Sequence, residues 1–192
     1  MEKNKLLNIA VVVCKSIRVI YIIVFIILTG IFIHLQIDPD TYNKANYSFH
    51  NKTSGFKIIK SKRWKISSTK LEDKDVYTID KILKTSLYIN YLKLVAILLF
   101  IFLATKEFQK IMQSVKHLKT FQKNNVNSFR KIGKYIFMIF LLSSYVKVNF
   151  QQGGFSSTNI NFTPLFLMLI AFILAEIFKE GNLLQQENDL TI

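Results

Sequence analysis

The side chains able to do chemistry are few and scattered. Three histidines are present, His34, His50 and His117. They fall at the end of an apolar run, in a polar loop and in a basic stretch, and no two stand at the spacing of metal ligands. Cys14, the lone cysteine, excludes an intrachain disulfide or a cysteine-based metal cluster; set among Val11, Val12 and Val13, it reads as a small buried hydrophobe. There is no glycine-rich phosphate loop, no nucleophile elbow and no pair of carboxylates inside an apolar run. Ionisable residues inside such runs mark pumps and transporters. Lys93, Lys147 and Glu176 come nearest, and each stands close enough to an end to reach a membrane surface. For Glu176 the preferred expectation is a snorkelling carboxylate, with Arg130 or Lys134 as the alternative partner. No catalytic, cofactor-binding or metal-binding residue is predicted, and no enzyme. What remains is a set of charges flanking the last two apolar runs: Arg130 and Lys131 before one, Glu180, Glu187 and Asp189 after the other. These are expected to form either a clasp internal to the fold or a docking site for a partner.

Composition says where such charges sit. The chain has 192 residues, 51% of them hydrophobic, with 26 Lys+Arg against 12 Asp+Glu and a formal charge of +14. The two kinds of residue are segregated into long Ile/Leu/Phe runs and lysine clusters between them, the pattern of a small polytopic membrane protein. A basic nucleic-acid binder would instead space its apolar residues at helical or strand intervals, so direct nucleic-acid binding is not expected.

Four transmembrane helices are predicted in a single integral domain, otherwise all-α, at about 17–37, 88–105, 132–150 and 162–180. The first, "VIYIIVFIILTGIFIHLQI", is uncharged and holds fourteen Val, Ile, Leu or Phe, each favouring insertion by roughly 0.3 to 0.6 kcal/mol at a helix centre. No small-x-small cleavage site precedes Asp38, so an uncleaved span is expected, ended by Asp38-Pro39-Asp40. The second needs Lys93 to snorkel at one interface, beside Tyr88 and Tyr91 of an aromatic belt. The third, "IGKYIFMIFLLSSYVKVNF", lies between Lys134 and Lys147; Ser143, Ser144 and Tyr145 are candidates for bonds between helices. The fourth starts with Thr163 as N-cap and Pro164 as first helical residue.

Lysine placement orients the spans. Segment 106–134 carries eight basic residues against Glu107 alone, and the N-terminus adds Lys3, Lys5, Lys15 and Arg18, so both termini and this connection are predicted to be cytoplasmic. Within the inner connection, 106–131, Phe108, Ile111, Met112, Val115 and Leu118 recur at helical spacing. The second helix should therefore continue past the membrane until "KNNVNS" breaks it, with Asn127 or Ser128 capping the next. Its basic face is either ordinary topology-setting charge or a surface that lies against anionic lipid. The roughly 50-residue outer loop, 38–87, is too long for a connector. Its alternating residues around a turn at Ser54-Gly55 suggest a small β-hairpin or two, which Phe56 and Trp64 are expected to pack onto the helix bundle. Asn46-Tyr47-Ser48 and Asn51-Lys52-Thr53 match glycosylation acceptors at a frequency chance explains.

Two stretches carry a resemblance. In "FKEGNLLQQENDLTI", Phe178, Gly181, Leu184 and Glu187 through Ile192 resemble the C-terminal signature of the bacterial membrane family called domain of unknown function 2975. In "FQKNNVNSFRKIGKY", Phe121, Asn125, Val126, Arg130, Ile132 and Gly133 are similar to its inner connection. The resemblance covers roughly Tyr88 to Ile192. It implies a four-span protein of the bacterial inner membrane with cytoplasmic termini. Because similar members are often encoded beside a small helix-turn-helix regulator, it also implies a membrane-bound sensor or sequestering partner of such a regulator. An oligomeric small-solute or ion transporter, or an envelope structural protein acting through its outer loop, are the alternatives. The bilayer is the one partner expected in every case; a homo-oligomer is compatible with all three. The apolar face Leu174, Ile177, Phe178, Gly181 and Leu184 predicts that the last helix continues into the cytoplasm.

Overall fold

A computed structural model describes residues 3–43, 45, 57–65 and 77–190. The expected turn at Ser54-Gly55, Phe56, both glycosylation motifs and Thr191-Ile192 lie outside them. The described residues form helices α1 (Lys3–Ile37), α2 (Lys84–Lys116), α3 (Lys123–Ser143) and α4 (Phe162–Leu190). Strands β1 (Lys57–Lys65), β2 (Tyr145–Phe150) and β3 (Gly153–Asn161) form one antiparallel sheet in the order β1-β3-β2.

Three helices, α1, α2 and α4, are long and apolar enough to cross a membrane. The third expected span is corrected. Residues 132–150 are not one helix: α3 stops at Ser143 and β2 begins at Tyr145. The apolar average of this run conceals a change of period. Tyr135 to Leu142 continue a helix, but Tyr-Val-Lys-Val-Asn-Phe alternates, and alternation puts Val146, Val148 and Phe150 on one side of a strand. The fold is therefore helical with a small sheet, rather than all-α. A hairpin not expected from the sequence lies elsewhere. β2 and β3 form it, across the two-residue loop Gln151-Gln152, while β1 pairs along its whole length with β3, from Lys57 opposite Asn161 to Lys65 opposite Gly153. At the start of α4, Phe162 is already helical. Pro164 thus falls third rather than first, a place where its missing N–H still costs nothing.

Contacts divide the chain into two units. The first comprises Met1–Ile23, Leu98–Phe140 and Thr163–Ile192. Its core is Ile111, Val126, Phe129 and Ala175, flanked by Met112, Val115, Ile132, Leu174 and Phe178. Cys14 is buried here, as its valine neighbours lead one to expect. As expected, α2 runs on past its apolar part, but its end differs from expectation. The helix stops at Lys116, and Leu118 is 91% exposed with a φ of 59°. Leu118 N–H donates to Val115 O at 3.1 Å and Lys119 N–H to Ser114 O at 3.0 Å, the two bonds of a Schellman cap. Helix α3 starts at Lys123, ahead of the expected caps, so Asn127 and Ser128 lie inside it.

The second unit comprises Val24–Ile97 and Leu141–Phe162. Its core is Tyr77, Val148, Phe150 and Phe155, with Ile82 and Val146 against it; Phe150 and Tyr77 meet edge to face at 5.3 Å. At the end of α1, the Asp38 carboxylate accepts the Thr41 hydroxyl at 2.6 Å, which holds that carboxyl below the ordinary aspartate range.

A left-handed leucine is strained by roughly 1 kcal/mol where glycine is not. Leu118→Gly should therefore raise the thermal midpoint of the detergent-solubilised protein, and Leu118→Val should lower it. Equal midpoints would show that Leu118 is unstrained.

Candidate functional site

In the first unit, several of the residues that carry the family resemblance come together. Phe121 packs on Phe178 at 5.4 Å between ring centroids, and Phe178 on Phe129 at 4.9 Å. Gly181 receives the Phe121 ring: a Cβ there would lie 2.7 Å from Cε1. Gly133 likewise admits the Phe172 ring, at 2.9 Å from its Cζ. Two glycines thus let α3 and the loop before it close on α4. Asn182 donates to the Phe121 carbonyl. Asn125 is 2% exposed; its amide donates to Thr120 O at 2.7 Å and Lys119 O at 3.0 Å, so its role is to fold the loop that ends α2.

Polar groups here answer one another. Glu107 is buried, and its carboxylate accepts from Lys110 Nζ at 2.6 Å and Ser128 Oγ at 2.8 Å. A polar recess of about 360 Å³ adjoins them, lined by Asn124, Asn127 and Lys131 among others. Arg130 forms an ion pair with Glu176 at 2.7 Å, and Lys179 joins at 3.3 Å. The expectation of a lone snorkelling carboxylate is thereby corrected, and the alternative holds. Both members are about half exposed, so in water such a pair would stabilise by at most about 1 kcal/mol.

Of the charges singled out in the sequence, Arg130 is in this pair and Lys131 borders the polar recess. Glu180 lines an open apolar groove of about 710 Å³ with Phe121, Phe172, Ile177 and Leu184. Glu187 is exposed on α4, and the Asp189 side chain lies outside the described ones. Ile177 and Leu184, expected on one face with Phe178, instead stand 54% and 62% exposed along this groove. Phe108 is also 43% exposed, so the buried face of α2 centres on Ile111.

In the second unit, polar residues of α2 have a use that sequence reasoning missed. Asn90 donates its amide to Lys147 O at 2.9 Å, Asn149 N–H donates to Ser86 Oγ at 3.0 Å, and Lys93 Nζ donates to the Tyr145 carbonyl. Ser86, Asn90 and Lys93 stand four and three apart, on one face of the helix, and together satisfy the backbone edge of β2. That spacing was the available signal, but it has meaning only once 145–150 is known to be a strand. Leu83 N–H donates to Asn149 O and Gln151 N–H to Lys81 O, both at 2.9 Å, and extend the seam. Tyr88 and Tyr91, expected in an aromatic belt, bond to α1. Tyr91 stacks on Phe32 at 3.9 Å and shares a hydrogen bond with Thr29 at 2.9 Å, and Tyr88 donates to Gln36 at 2.6 Å. His34 bonds Tyr42 at 3.0 Å. Among the described residues, no three His, Cys, Asp or Glu side chains gather where a metal could bind.

Residues 73–192 match the model of a family described as "Protein of unknown function (DUF2975)". No curated protein and no solved structure matches the chain.

Gly181→Val should displace the Phe121 ring and destabilise the first unit by about 1–3 kcal/mol, the usual cost of overpacking. In a Phe121→Ala background the same change should cost little, because the clash has been removed. Thermal melts of the four variants test this; additive losses would show that ring and glycine are not coupled.

Proposed function

The chain belongs to the DUF2975 family of proteins of unknown function, and from that premise we propose that it is a four-pass protein of the bacterial inner membrane that docks a small cytoplasmic helix-turn-helix regulator. Segment 106–134, with its eight basic residues and one acid, supports a cytoplasmic side for that connection and for both termini. Helix α3 is taken as the remaining crossing through its apolar part, residues 132–143, which extends about 18 Å against a hydrocarbon core of about 30 Å, so Arg130, Lys131 and Lys134 reach back to the inner interface. Gly133 against Phe172 supports its place beside α4.

The observation that carries the docking reading is the groove on α4. It is apolar at Phe121, Ile177 and Leu184, acidic at Glu180, and lies on a helix that continues to Leu190. An amphipathic helix of a basic regulator can lay its apolar face in such a groove. Its cations then face Glu180 and Glu187, complementarity that raises the on-rate and selects partners. A regulator held in this way has its basic surface occupied and is kept from DNA.

The full-length protein in lipid nanodiscs should bind the labelled helix-turn-helix product of the adjacent reading frame in fluorescence anisotropy. Glu180→Lys with Glu187→Lys should weaken binding roughly tenfold or more, consistent with a few kcal/mol for like charges placed opposite a partner's cations, while circular dichroism stays unchanged. Absence of binding by the wild-type protein would refute the proposal.

A further inference from the structure

We propose that the exposed face of the sheet binds the phosphate groups of anionic phospholipids in the bilayer that the protein itself spans. The three strands contain Lys57, Lys60, Lys62, Arg63, Lys65 and Lys147 and no Asp or Glu. Residues directly opposite share a face, and alternate residues return to it. The core takes one face through Val146, Val148, Phe150 and Phe155. The other face is therefore fixed by register into four rows. Ile58 and Ile160 form the first. Lys60, Thr158 and Tyr145 form the second, and Lys62, Ser156 and Lys147 the third. Trp64, Gly154 and Asn149 form the last.

This order is graded. The Ile58 row lies next to the point where β3 passes directly into α4 at Phe162, and the start of β2 at Tyr145 is tied to Lys93 of α2. Ile58 is 58% and Tyr145 51% exposed. Along the strands, apolar and aromatic side chains thus stand at the end that leads into α4 and is tied to Lys93, and lysines beside hydroxyls follow, the sequence of environments a lipid presents from acyl chain to phosphate. Trp64 completes the face. Its indole lies over Gly154, where a Cβ would be 2.5 Å from Cζ2, and Lys147 Nζ is 5.7 Å from the ring centroid. A soluble polyanion would use the lysines and leave the exposed isoleucine and tyrosine without purpose; a lipid uses both. Each lysine at an anionic surface contributes about a fivefold preference.

Trp64 is the only tryptophan, so its emission reports on this face alone. The full-length protein is placed in phosphatidylcholine nanodiscs with and without phosphatidylglycerol, and retained lipids are counted by native mass spectrometry. The wild type should retain phosphatidylglycerol over phosphatidylcholine roughly tenfold or more, and its Trp64 emission should shift when the anionic lipid is present, less so at high salt. The triple variant Lys60→Gln, Lys62→Gln, Lys147→Gln should lose both effects, and the corresponding triple arginine variant should keep them. Equal retention by the wild type and the glutamine variant would overturn the proposal. So would an emission change produced by soluble polyphosphate in pure phosphatidylcholine and not by phosphatidylglycerol.

Discussion

A sheet edge beside apolar helices is the constraint on which the second unit depends. Backbone N–H and C=O groups left unbonded where packing shuts out water cost about 1–3 kcal/mol each. Strand β2 follows α3 after a single residue and lies at the border of β3, so its outer backbone groups face this penalty. Helix α2 removes it. Ser86, Asn90 and Lys93 place a hydroxyl, an amide and an ammonium along the strand in the order Asn149, Lys147, Tyr145. The same three residues would be costly on a lipid-facing helix surface, and the strand would be costly without them. Each makes the other tolerable.

The first unit solves a different problem, that of closing helices whose ends carry many like charges. It does so with size complementarity. Gly133 and Gly181 accept the Phe172 and Phe121 rings, and Ile111 and Ala175 are completely buried between them in the packing of Val126 and Phe129. Once helices are this close, the polar groups inside must be answered locally. Glu107 finds Lys110 and Ser128, Asn125 finds the carbonyls of the preceding loop, and Glu176 finds Arg130 and Lys179. Most of the basic surplus stays outside, where it can act on lipid or on a partner.

Much of this could be read from residue order. The long helices α1, α2 and α4, the continuation of α2 and α4 past their apolar parts, and the family all followed from hydropathy, helical periodicity and two short signatures. The sheet did not. Hydropathy averaged over a span cannot separate an apolar helix from the alternating strand appended to it, so Tyr145–Phe150 was absorbed into α3. Strand β1 was recognised as extended, but its partner β3 lies far along the chain, in a Gly/Ser/Asn segment that looks like a loop until the pairing is known. Lys93 has a partner that hydropathy does not show: its ammonium reaches the Tyr145 carbonyl. The groove of Glu180 and the face of Trp64 were likewise invisible, since each is assembled from separate segments.

The direct test of the α2–β2 seam is backbone hydrogen exchange of Asn90→Leu in nanodiscs. The substitution keeps the approximate size of the side chain while replacing its amide, and with it the donor to Lys147 O, by an apolar group. A buried carbonyl left without its donor costs about 1–3 kcal/mol. If α2 holds the edge of the sheet, exchange across β2 and β3 should therefore accelerate roughly tenfold or more, with amides around Ile111 and Phe129 unchanged. Unaltered protection of β2 would contradict the dependence of the sheet on the helix.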